Sequence, residues 1–70
     1  MVRAARKEVA RLERALDRLG EREEALQGEM AASATDHVRL RALQAELAAL
    51  GSERHELEAA WLESSEVLEG

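Results

Sequence analysis

The segment Met30-Ala31-Ala32-Ser33-Ala34-Thr35-Asp36-His37-Val38-Arg39-Leu40 decides the architecture, because it separates two long runs of one periodicity. On its N-terminal side Val2, Ala5, Val9, Leu12, Leu16, Leu19, Glu23, Leu26 and Met30 follow alternating steps of three and four, so they share one stripe of a helix. On its C-terminal side Leu40, Leu43, Leu47, Leu50, Arg54, Leu57, Trp61, Ser64 and Leu68 keep the same steps, the spacing of a coiled-coil seam. Between the runs, Ser33, Thr35 and Asp36 carry side-chain oxygens that can accept from the free N–H groups of a new helix, and Asp36 suits its positive end. A connection this short makes the two helices antiparallel. The prediction is an all-α, two-helix antiparallel coiled-coil hairpin occupying residues 1–70 as one domain. Helix 1 covers about 2–32, the turn about 33–35 and helix 2 about 36–68. At 1.5 Å per residue each helix is about 45 Å long, so the molecule is a rod.

Composition agrees. In 70 residues there is no Pro, Cys, Phe or Tyr, Trp61 is the single aromatic, and Ala, Leu, Glu and Arg dominate. The absence of cysteine excludes disulfides, thiol catalysis and cysteine-based zinc sites, and fits a reducing, cytoplasmic setting. No apolar run approaches the roughly 20 residues that span a bilayer, and the N-terminus lacks the apolar core of a signal peptide, so no membrane partner is expected.

Two registers of the hairpin bring opposite seam rows together, and flanking charges discriminate between them. With Leu16 opposite Leu50, Leu19 opposite Leu47 and Val9 opposite Leu57, the flanking pairs Arg22–Glu46, Glu29–Arg39 and Arg6–Glu58 are all attractive. One heptad away, Arg22 meets Glu53, but Glu13 faces Glu58 and Glu29 faces Glu46. The first is preferred, although exposed pairs are worth only about 0.2–1 kcal/mol each. Trp61 then packs near Ala5 and Val9. Glu23 and Arg54 stand at seam positions as polar notches that specify pairing. Gly20, Gly28 and Gly51 read as tolerated positions exposed or flanking the seam, with a hinge that lets the rod bend against a partner as the alternative.

Motifs for chemistry are missing. No glycine opens a helix in a phosphate-binding context with Lys and a hydroxyl residue, His37 and His55 have no neighbouring ligand set, and a two-helix rod has no enclosed pocket to perturb a carboxylate. No enzyme activity, cofactor or metal is expected of this chain. Charge carries more information. The net charge is −5, yet residues 1–22 hold seven basic against four acidic residues, and residues 23–70 hold three basic against eleven acidic. Arg3, Lys7, Arg11, Arg14, Arg18 and Arg22 recur on the side of helix 1 away from the seam, a cationic rail about 28 Å long. Such a rail suits a phosphate backbone with one charge per about 1.7 Å of duplex. Glu8, Asp17 and Glu21 lie close enough to make the same face an ordinary solvated surface with intrahelical pairs. No aromatic residue interleaves the basic ones, so stacking of single-stranded bases is not expected there.

The residue order Arg6-Lys7-Glu8-Val9-Ala10-Arg11-Leu12-Glu13-Arg14, then Ala34-Thr35-Asp36, Leu43-Gln44-Ala45-Glu46-Leu47 and Leu57-Glu58-Ala59-Ala60-Trp61-Leu62-Glu63 resembles the C-terminal domain of the ABC-F family of ATPases, the Uup type, over nearly the whole chain. The resemblance implies a coiled-coil hairpin attached to two tandem ATP-binding cassettes without a membrane domain, in a protein acting on ribosomes, with the hairpin associated with DNA binding. ATP binding would belong to the cassettes and to no residue here. The expected partners are DNA or ribosomal RNA, bound weakly by the isolated hairpin, and the parent's cassettes. The alternative is a structural or protein-interaction coiled coil that docks on the cassettes or self-associates. His37 stands where the family commonly has an aromatic residue after the Thr-Asp turn.

Overall fold

The chain forms two helices, α1 over Val2–Ala32 and α2 over His37–Glu69, packed along their length, in a computed structural model that describes residues 2–69. Its principal extents are 51 × 15 × 13 Å, the rod that the two apolar stripes require. The all-α hairpin read from the periodicity is the fold observed.

The reversal is built from side-chain and backbone capping. The Ser33 N–H donates to the carbonyls of both Glu29 and Met30 (3.0 and 3.2 Å), which closes the last turn of α1. The Asp36 N–H donates to the Ser33 carbonyl (2.9 Å), and the Leu40 N–H then donates to the Asp36 carbonyl (2.9 Å) as the first bond of α2. Asp36 is therefore the N-cap. Its Oδ1 accepts from the Arg39 N–H at 3.0 Å, satisfying a donor that the helix itself leaves free. No described residue adopts positive φ, which is why the turn manages without glycine.

Burial divides the α1 seam into two unequal rows. Leu12, Leu19 and Leu26, one per heptad, are enclosed, together with Leu43 of α2. The alternate row of Val9, Leu16, Glu23 and Met30 is only half-buried. In α2, Leu40, Leu47, Leu50, Leu57 and Trp61 are half-buried and Leu68 is exposed, so the seam opens toward the end of α2. The seam position expected of Val2 lies outside the described side chains.

The register differs from the one preferred on charge. The ion pairs Arg22–Glu46 and Arg39–Glu29 form as expected, the latter with 3.5 Å between Nη2 and Oε2. Arg6–Glu58 is not among the ion pairs of the described residues, whereas Arg54 pairs with Glu23. With Leu16 opposite Leu50, Arg54 would stand opposite Leu12, about 16 Å along the axis from Glu23 and too far for two side chains. Counting inward from the helix ends at Ala32 and His37 instead brings Leu26 level with Leu43, Leu19 with Leu50 and Leu12 with Leu57. Like rows thus meet like rows, an arrangement between the two that flanking charge distinguished. The physical reason is the turn: Asp36 caps α2 at His37, which advances α2 toward the tip. Trp61 comes level with Glu8, beside Val9, and leans toward the tip, as helical side chains lean toward their own N-terminus. There it shares a groove with Glu13, Leu16 and Asp17, while Ala5 is level with Ser64.

The Glu23–Arg54 bridge is the polar notch expected in the seam. Arg54 donates through Nε (3.0 Å) and Nη2 to one carboxylate oxygen of Glu23, and the two side chains are 34% and 22% exposed. This hydrogen bonding holds the Arg54 guanidinium above its ordinary pKa against the opposing effect of burial. The side chain passes Gly20, where a Cβ would meet Arg54 Nη2 at 3.5 Å, an ordinary contact, so the bridge leaves room for a side chain there. The helices run unbroken through Gly20, Gly28 and Gly51. Replacing both members by leucine is expected to leave stability unchanged or raise it, since the pair is partly desolvated and an apolar pair packs the same seam position. Arg54→Leu alone is expected to lower it, because Glu23 loses its partner at a half-buried seam position. Thermal denaturation followed by circular dichroism distinguishes the two; a double variant less stable than wild type would show the bridge to be a net source of stability.

Candidate nucleic-acid interface

The hairpin has two dissimilar long edges and a basic back. The basic residues of the rail stand on the outer positions of α1's heptads because the inner positions are taken by the leucine seam. Arg3, Lys7, Arg11, Arg14, Arg18 and Arg22 are all exposed. Two of them are already engaged. Arg11 donates to the Glu8 carboxylate one turn earlier (Nε–Oε2 3.2 Å), and Arg22 to Glu46 across the seam. Those hydrogen bonds hold the Glu8 carboxyl below its ordinary pKa and the Arg11 and Arg22 guanidinium groups above theirs. Arg3, Lys7, Arg14 and Arg18 make no ion pair among the described residues, which leaves four fixed charges available without exchanging a partner.

One edge of the hairpin is zipped by charge pairs, Arg22–Glu46 and Glu29–Arg39. The other is open. Along it a groove lined by Glu13, Leu16, Asp17, Glu58, Trp61 and Leu62 continues through Leu16 and Asp17 into a second one lined by Gly20, Glu21, Glu24 and Arg54. Sequence reading set Glu13 against Glu58 only in the register it disfavoured; the structure places both on this groove. The trough was missed because its signal, acids and glycines on the positions flanking one seam row, has meaning only once the register is known. His37 and His55 are exposed on α2, and no group of three His, Asp or Glu among the described residues could hold a metal ion.

Residues 1–66 match the family model of the ABC transporter C-terminal domain. The chain belongs to that family. No curated protein and no solved structure matches it. As an ABC transporter C-terminal domain it is an appendage of an ABC protein, and the match covers both helices and the turn between them. No described helix of this domain is long and apolar enough to cross a membrane.

Proposed function

We propose that the hairpin is the non-catalytic, nucleic-acid-binding appendage of a cytoplasmic ABC-F protein of the Uup type, and that it contacts the phosphates of duplex DNA or ribosomal RNA through Arg3, Lys7, Arg11, Arg14, Arg18 and Arg22. The observation that carries this reading is the exposure of Arg3, Lys7, Arg11, Arg14 and Arg18 on the outer face of α1, with Arg22 at its edge, four of the six without an ion-pair partner among the described residues. Recognition of this kind reads charge and backbone shape, with no base contacts. A net charge of −5 opposes autonomous binding, so cassettes in the parent chain would supply orientation and further contacts. ATP hydrolysis would reside in those cassettes.

Salt dependence tests the reading directly. Each phosphate contact contributes about −0.9 to the slope of log affinity against log salt on B-DNA, so four free charges give about −3.6 and all six about −5. Fluorescence anisotropy of a labelled duplex titrated with the parent protein, between about 50 and 200 mM salt, measures the slope, and deleting the hairpin isolates its share. No change of slope on deletion would remove the rail from the interface. The structural reading, a coiled coil that binds protein, would then be the better account, and the open edge opposite the ion pairs is the observation in its favour.

A further inference from the structure

We infer that the open edge of the hairpin is a docking trough for a basic amphipathic helical segment of a protein. The inference is independent of the nucleic-acid reading and concerns a different surface. Leu16, Trp61 and Leu62 form the apolar floor, and Leu62 is left 56% exposed. Glu13, Asp17 and Glu58 stand on the rim, and none of the three is in an ion pair among the described residues.

The two edges were built from the same kinds of residue with opposite results. On the zipped edge Glu46 and Glu29 each meet a base across the seam. On the open edge Glu13 and Glu58 line one groove, and neither has an ion-pair partner among the described residues, so a cationic side chain entering there meets two acids. The half-buried row containing Leu16 and Trp61 turns toward this edge, whereas the fully enclosed row of Leu12, Leu19 and Leu26 does not. Apolar surface and acids without an ion-pair partner among the described residues therefore coincide, with Arg54 the one cation beside them and already bound to Glu23.

Shape and charge select the occupant. The first groove measures about 670 Å³, the size of a small-molecule pocket, but it lies open along the rod and runs on into the second. From Glu13 to Glu24 the trough is about 17 Å long, three turns of a helix. A helix laid there would place apolar residues at i, i+3 or i+4 and i+7 on the floor and Lys or Arg on both flanks. Nucleic acid and anionic membrane are repelled by the rim. A second copy fits poorly: the basic outer face of α1 has charge but presents no large apolar residue to the floor, and two troughs face to face would oppose acids to acids.

Trp61 is the only aromatic residue and lines the floor, so its fluorescence reports occupancy directly. The probe is a synthetic 18-residue peptide of Leu, Lys and Ala with leucines on one helical stripe; the control has the same composition with the stripe broken. The full chain is expected to bind the patterned peptide about tenfold more tightly than the control, with a blue shift of Trp61 emission. Glu13→Lys together with Glu58→Lys should weaken binding about tenfold. Leu62→Ser, at an exposed position that the fold does not need, should weaken it several-fold and keeps the test valid if the charge-reversed variant unfolds. Arg11→Glu, Arg14→Glu and Arg18→Glu together should strengthen binding of the cationic peptide, the opposite of their expected effect on duplex binding, which separates this surface from the rail. Equal binding of the two peptides, or unchanged affinity in Leu62→Ser, would overturn the proposal. So would a Trp61 shift that depends on the chain's own concentration and coincides with dimer formation in sedimentation, since the occupant would then be a second copy.

Discussion

Leu26→Ala and Leu43→Ala are each expected to destabilise the hairpin by about 2–5 kcal/mol, and the two together to leave it largely unfolded. The residues are 0% and 2% exposed, each six positions from its helix end, so they belong to the enclosed part of the seam near the tip of the rod. A chain of 70 residues has a total stability of about 4–10 kcal/mol, which makes one such loss a large share of the whole. The effect is magnified by geometry, because a two-helix rod has no second layer of side chains to collapse into the cavity. Val38→Ala, at a position 83% exposed, should fall within about 0.5 kcal/mol of wild type. Urea titration followed at the helical dichroism signal measures all four variants. Losses below about 1 kcal/mol at Leu26 and Leu43 would mean that the tip layer is not packed as described.

Reversing Arg11, Arg14 and Arg18 to Glu in the parent protein is expected to weaken duplex binding by about two orders of magnitude and to make the salt slope shallower by about 3. Arg14 and Arg18 are unpaired among the described residues, and Arg11 is held only by the exposed Glu8, so all three can face phosphate. The substitutions replace attraction by repulsion over about 10 Å of the rail while leaving every seam contact intact. Helicity should change little, since Glu and Arg have similar helix propensities and the positions are exposed. Graded losses in the single variants would mark a distributed surface. Unchanged affinity and slope in the folded triple variant would sink the nucleic-acid assignment.

The hairpin was legible because its causes are local or periodic. Alternating steps of three and four identify both stripes, and Leu12, Leu19 and Leu26 are enclosed as that spacing demands. Asp36 after Ser33 and Thr35 marked a helix start, and it is the residue that caps α2. The rail was equally legible, because solvent exposure on one face of α1 follows from burial of the opposite one. Its chemistry was not. Two of its six charges are engaged, and the partner of Arg22 lies on the other helix.

The sequence by itself determined how many helices form, where the chain reverses and which faces meet, since each of these depends on side-chain character at fixed spacing along one helix. Only the tertiary structure decided how far α2 is advanced along α1. A seam of repeated leucines packs almost equally well at several offsets, and the selection falls to a capped turn at Asp36 and a long diagonal bridge from Arg54 to Glu23. That offset, in turn, zips one edge with Arg22–Glu46 and Glu29–Arg39 and gathers Glu13, Glu58 and Trp61 on the other. The acidic trough exists because of a register that no single helix encodes.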